Sequence, residues 1–175
     1  MTKIIAVANQ KGGVGKTTTA INLATSLVAV NKKILIIDSD PQGNASTGLG
    51  LLEKDRTPSL YQLLSSNEFN IESIKKTIIP NLDIITSTQD LAASEIELVD
   101  VKSREMVLKN ILEKINGYDF ILIDCPPALG LLTINGLVAA NSVLIPLQCE
   151  FFALEGISAL IKTIETIKLN LNQKI

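Results

Sequence analysis

The 175-residue chain contains no histidine and no tryptophan, and only four Phe and two Tyr. The missing histidine takes away the commonest general base and the commonest metal ligand together. With so few aromatics there is no stacking platform for single-stranded bases. Positive charge is not in excess either: the net charge is -2 and the pI is near 5.2. No global basic field therefore marks nucleic acid as a partner, and any DNA contact has to come from a local patch or from a surface made by two copies. The two cysteines, Cys125 and Cys149, lie far apart after apolar runs. They read as small buried hydrophobes in a reducing cytosol, assigned neither to metal nor to catalysis. No apolar run approaches membrane-spanning length, and the run before Asn9 is too short for a signal-peptide core, so the expected location is cytoplasmic.

What the chain does have is a series of short β-branched runs: 3–9, 33–38, 81–86, 119–124 and 142–147. They are continuously apolar rather than alternating, which is the pattern of strands buried on both faces of a parallel sheet. Helical periodicity fills the gaps. It predicts helices over 17–30, over 91–115 with Leu108, Ile111, Leu112 and Ile115 inward, and over 154–171 with Ile157, Leu160, Ile161, Ile164, Ile167 and Leu171 on one face. Strand–helix–strand alternation implies a doubly wound α/β fold with a mostly parallel sheet and helices on both faces. The segment 39–58, rich in Gly, Ser, Asn and Pro, is expected to be irregular, and one domain spanning 1–175 is expected.

Between the first strand and the first helix stands "KGGVGKTTT", Lys11–Thr19. Bare backbone, cations and hydroxyls at that point are what a polyphosphate needs. Gly12, Gly13 and Gly15 let backbone N–H groups converge on phosphate oxygens, and the helix beginning near Lys16 turns its positive end to the same spot. Lys16 supplies a point charge for the β/γ-phosphates, Thr17 a hydroxyl for Mg²⁺, and Thr18 a further donor. The loop departs from the usual phosphate-binding pattern, because Gln10 stands where a glycine is expected and Lys11 follows as an extra cation. Asp124 ends the run "FILID" and is the candidate Walker-B carboxylate. Asp38 and Asp40 flank Ser39 at the end of the second run, and two carboxylates so close need a cation, a lysine or an attacking water.

"KGGVGKTT", "IIDSDPQGN", "LIDCPPALGLLTINGL" and "PLQCEFFALEGI", in this order, resemble the ParA/Soj chromosome- and plasmid-partitioning ATPases of the deviant Walker-A (MinD/ParA) class. The resemblance covers essentially the whole chain, including "LAASEIELVDVKSRE". It implies the P-loop NTPase fold and a slow Mg²⁺-dependent ATPase that closes into a sandwich homodimer on ATP. Lys11 would then be the signature lysine reaching the partner subunit's nucleotide, and Gly12 would let the two faces close. The nucleotide loop would be Lys11, Gly12, Gly13, Val14, Gly15, Lys16, Thr17 and Thr18. Asp40 would orient the hydrolytic water, while Asp38 would mainly shape the loop. Thr17, Asp40 and Asp124 would form the Mg²⁺ set, and "CPPALG" would be the switch II segment. A ParB-like partner would stimulate hydrolysis, and the ATP form would bind DNA without sequence preference and so sit on the nucleoid.

Family members continue beyond the point matching Ile175 with a further strand and helices that carry adenine contacts and much of the DNA surface. The chain is therefore expected to be truncated relative to them, and Lys32–Lys33 and Lys75–Lys76 read as solvated surface rather than a DNA clamp. Four other readings stay open at this point. A MinD-type ATPase would share the loop, but Glu165 with only Lys162 and Lys168 nearby makes the last helix a poor binder of anionic lipid, so no membrane partner is expected. A dethiobiotin-synthetase-like ligase would need a polar substrate cluster that is not visible. The iron-protein branch would need bridging cysteines, which Cys125 and Cys149 do not match. A nucleotide-binding remnant without activity is the last.

Overall fold

The computed structural model describes residues 2–148 and 153–175, without side chains at 153–156. Six strands form one sheet: β1 (Lys3–Val7), β2 (Ile34–Asp38), β3 (Ile74–Lys76), β4 (Leu82–Ile85), β5 (Phe120–Asp124) and β6 (Ser142–Leu144). Their order is β3-β4-β2-β5-β1-β6, and every neighbouring pair is parallel except β3 with β4. The helices are α1 (Lys16–Ala29), α2 (Asn44–Gly48), α3 (Leu60–Ser66), α4 (Ser94–Glu97), α5 (Val107–Leu112), α6 (Leu131–Ala139) and α7 (Ala153–Asn170).

β2 shows why the strands read as unbroken apolar runs, since all five of its residues are buried. Leu35 and Ile37 join Ile121 and Ile123 in a core that also takes Leu60 and Leu63 of α3, Leu108 and Ile111 of α5, Leu137 of α6 and Leu160 of α7. Ile34 and Ile36 face the other way, joining Leu82, Ile84 and Leu122 with Ala24 of α1 and Ala45 of α2. With a hydrophobic layer on each face, every apolar residue of β2 faces a core, and each fully buried Leu or Ile contributes about 1.5–3 kcal/mol relative to exposure. The expected doubly wound, mostly parallel sheet is what the chain forms.

Two expectations about elements need correcting. The stretch 91–115 is not one helix: 3₁₀ turns at Gln89–Ala93, Leu98–Asp100 and Arg104–Met106 separate α4 from α5. Ser103 sits at φ 57°, a left-handed conformation that a continuous helix cannot contain. The helical spacing of Leu108, Ile111 and Leu112 was real, but it belongs to α5 alone, while Ile96 and Val99 are exposed. The stretch 39–58 is not wholly irregular either, since it holds α2 and a 3₁₀ turn at Glu53–Asp55. α3, α6 and β3 were also missed. α3 did carry a signal: Ser59 and Gln62 form a capping box at its start. α6 had no polar face to reveal it, because its Gly136 lies against Cys125 and Ile123 and its Asn135 is buried, bonded to Leu108 N–H and to the Arg104 carbonyl. Cys125 is fully buried, as expected, and burial pushes its thiol pKa up, away from nucleophilic use. Cys149 and part of "PLQCEFFALEGI" lie outside the described residues.

Candidate phosphate-binding site

β1 stops at Val7, and the chain turns through Asn9–Gly15 into α1 at the carboxyl edge of the sheet. Gly13 and Gly15 have φ of 73° and 85°, a region that side chains disfavour. Gly15 caps α1, and its carbonyl accepts from Thr19 N–H at 2.8 Å, so the free N–H groups of the first turn open onto the loop. Gly12 differs, having ordinary backbone and no atom within 4 Å of where a Cβ would stand. Nothing among the described residues demands glycine there. Val14 is buried, so it offers the loop backbone only.

Lys16 is only 7% exposed, and its ammonium donates to the Lys11 carbonyl at 3.1 Å. Burial lowers its pKa, while Asp124 and Asp40 work in the opposite direction. The acids lie close by. Asp124 pairs in register with Val7 on one side and Asp38 on the other, so two carboxylates stand side by side at the ends of β5 and β2. They differ in how they are satisfied. Asp38 accepts from Ser46 N–H at 2.7 Å and from the Ser46 hydroxyl at 2.6 Å, which ties β2 to α2. Its pKa is still pushed up to about 6, chiefly by burial. Asp124 is fully buried, and neither of its carboxylate oxygens has a hydrogen-bond partner of good geometry. Burial drives its pKa to about 7, with Asp38 and Asp40 adding to the rise and the nearby Thr17 hydroxyl and Lys16 opposing it. Orphaned carboxylate oxygens beside a threonine hydroxyl are a hard, anionic donor set, and they fit a divalent cation such as Mg²⁺.

A cleft of about 490 Å³ is lined by Gly12, Gly13, Gly15, Lys16, Thr17, Thr18 and Asp40, together with Gln42, Asn44 and Pro127. Seven of the residues singled out from sequence thus surround one space, Asp124 is buried at the end of β5, and Lys11 precedes Gly12 without lining the cleft. The hollow of about 720 Å³ beside α3 is larger but is lined by no lysine or arginine and no glycine. Sequence reasoning missed several supporting groups. Asn9 donates to the Pro146 carbonyl at 2.7 Å and accepts from Lys11 N–H at 3.0 Å, and Gln148 donates to the Gly13 carbonyl at 3.1 Å. Arg56, 9% exposed, donates to the Thr47 hydroxyl at 2.7 Å, to the Leu51 carbonyl and to the Ser87 carbonyl. Ser46, in α2 eight residues after Asp38, was missed as well, since the stretch around it read as irregular.

A strand, a glycine-rich loop and a helix, with buried acids closing the adjacent strands, define a P-loop nucleotide-binding domain. Residues 2–175 match the AAA_31 family, described as an AAA domain, and the chain belongs to it, on its ParA/Soj side. It is 52% identical over 173 residues to the sporulation initiation inhibitor protein Soj of Bacillus subtilis, covering 98% of this chain and 68% of that protein. It is 49% identical over 176 residues to the chromosome partitioning protein ParA of Caulobacter vibrioides, covering 99% and 66%. Among solved structures, cobyrinic acid a,c-diamide synthase from Mycobacterium smegmatis, with bound ATP analog and magnesium, superposes with a TM-score of 0.94 at 36% identity over 99% of this chain and 71% of that one. The chain spans about two thirds of the length of these relatives.

Proposed function

We propose that residues 1–175 form the nucleotide-binding part of a ParA-type partitioning ATPase that binds Mg²⁺-ATP, pairs with a second copy and hydrolyses ATP slowly. The observation carrying this is Asp124: a buried carboxylate with no hydrogen-bond partner of good geometry, at the end of the strand beside the glycine loop and near Thr17 and Lys16. A structural acid would be satisfied, as Asp38 is.

In this reading the backbone N–H groups of Gly12–Gly15 and the first turn of α1 cradle the phosphates. Lys16 leaves the Lys11 carbonyl for the β/γ-phosphate oxygens, and Thr18 donates a further bond. Thr17, Asp124 and Asp40 hold the metal side. Magnesium supplies charge neutralisation on the phosphate oxygens. Asp40, held by Gln42 N–H at 3.0 Å, orients the attacking water, and Lys11 of one copy neutralises developing charge at the other copy's nucleotide. The empty space around Gly12 agrees with a constraint imposed from outside the chain, by a facing subunit. Non-specific DNA and a ParB-like stimulator complete the reading, with ATP-bound protein on the nucleoid. Mg²⁺-dependent titration with a fluorescent, non-hydrolysable ATP analogue tests it: binding is expected for this chain, and equal affinity in Lys16→Ala would defeat it.

A metabolic ATP-dependent ligase is the second reading, favoured by the likeness to the diamide synthase. The greater identity to Soj and ParA over the same residues weighs for partitioning.

A further inference from the structure

The backbone of Lys11 is held on both sides of its Cα. Its N–H donates to Asn9 Oδ1 at 3.0 Å, and its carbonyl accepts from the Lys16 ammonium at 3.1 Å. The two grips are unequal once nucleotide arrives. Lys16 is the cation that phosphate recruits, so its bond to the Lys11 carbonyl is the one given up. Asn9 has no such competitor. It is 4% exposed, and its other end, Nδ2, donates to the Pro146 carbonyl at 2.7 Å in the strap that follows β6. The chain between β1 and Asn9 is tied to the end of β6 by Ala8 N–H on the Leu144 carbonyl at 3.1 Å, so Asn9 continues the β1–β6 pairing rather than standing out on the loop.

We propose that Asn9 is a positioning residue that fixes the backbone of Lys11, through the Asn9 Oδ1–Lys11 N–H bond and the Asn9 Nδ2–Pro146 bond, so that the Lys11 side chain is presented outward to the facing copy while nucleotide holds Lys16. This rests on the reading above, in which Lys11 acts at the nucleotide of a second copy. It adds what that reading lacks, a fixed point for the Lys11 backbone when the Lys16 bond is withdrawn. An acceptor two residues upstream closes a small turn that a Ser can imitate weakly and an Ala cannot.

The test compares Asn9→Ala, Asn9→Ser and Lys11→Ala in the full chain with Mg²⁺ and a non-hydrolysable ATP analogue, then with ATP. Amide hydrogen exchange at Lys11, read by NMR with the analogue bound, should be slow in the parent and at least about tenfold faster in Asn9→Ala, with Asn9→Ser between. Analogue affinity should stay within about threefold, while kcat falls roughly tenfold, as misplacement of a catalytic group predicts. Equal Lys11 exchange in parent and Asn9→Ala overturns the proposal, as does an affinity loss parallel to the loss of kcat, which would make Asn9 part of the phosphate cradle. Parent-like kcat in Asn9→Ala with kcat lost in Lys11→Ala overturns the proposal alone. Parent-like kcat in Lys11→Ala overturns the underlying reading with it.

Discussion

The Lys16 ammonium lies 3.1 Å from the Lys11 carbonyl oxygen, so the two lysines of the glycine loop are joined through backbone. A cation that already has a partner, in a buried place that lowers its pKa, gains from phosphate only by exchanging a neutral acceptor for an anionic one. That exchange favours phosphate strongly. Lys16→Ala should therefore lower Mg²⁺-ATP affinity by roughly a hundredfold or more, about 2.7 kcal/mol, measured by analogue titration. Lys16→Arg should not rescue it, because the buried channel fits a compact ammonium.

Asp40 and Asp38 stand two residues apart but face different work. Asp38 is occupied by Ser46, whereas Asp40 lines the cleft with Gln42 N–H on one oxygen. Asp40→Ala is expected to keep analogue affinity within about threefold and to lower turnover roughly a hundredfold, the range typical of a positioned base or water-orienting group. Single-turnover kinetics with ATP separate the two effects. Turnover at the parent rate would remove Asp40 from the hydrolytic step.

The loop, Lys16, Thr17 and Asp124 were legible because their chemistry is written in consecutive residues: a polyphosphate needs bare backbone next to a cation, and a strand run ending in Asp needs a reason. The sheet was legible for a related cause, since strands such as β2 are buried on both faces and lose their alternation. What escaped was everything decided by contacts across long sequence separations. Asn9 meets Pro146, Gln148 meets Gly13, and Arg56 meets Ser87. No local pattern in the sequence marks such pairs. The 91–115 stretch escaped for the opposite reason, because a true helical pattern at Leu108–Leu112 was extended backwards over Ser103, whose left-handed backbone belongs to a turn. Asp38 was expected mainly to shape its loop, and the bond that ties it to α2, from Ser46, was not foreseen.

The buried acids make the stability of the nucleotide-free protein depend on pH in an unusual direction. Asp124 and Asp38 have folded-state pKa values raised to about 7 and about 6, from an ordinary 3.8. Between those limits the folded chain holds protons that the unfolded chain has lost, so stability falls as pH rises from about 4 to about 7. Urea denaturation across that range should show the decline, and Asp124→Asn should flatten its upper part. Mg²⁺ with nucleotide should flatten it too, since a bound cation favours the ionised carboxylate. A parent protein that gains stability steadily from pH 4 to pH 7 would contradict the assignment.

Arg56 is held by neutral groups: its guanidinium bonds the Thr47 hydroxyl and the Leu51 and Ser87 carbonyls, and its own carbonyl accepts from Thr86. Its NH1 also occupies the space a Cβ on Gly43 would need, directly before α2. The side chain therefore braces α2 at Thr47 while Asp38 holds it at Ser46, and the stretch Asp40–Asn44 leads into that doubly held helix. Removing the Arg56 side chain leaves the buried Ser87 carbonyl and the half-buried Leu51 carbonyl without a donor, so Arg56→Ala should cost about 2–4 kcal/mol in urea denaturation. Arg56→Lys should recover only part, because a single ammonium cannot reach the three elements that a planar fork spans. If the brace serves the cleft as well as the fold, turnover at saturating ATP should fall in Arg56→Lys more than analogue affinity does, since Asp40 hangs from the braced segment and the glycine loop does not. Equal losses in the two measurements would confine Arg56 to holding the fold together.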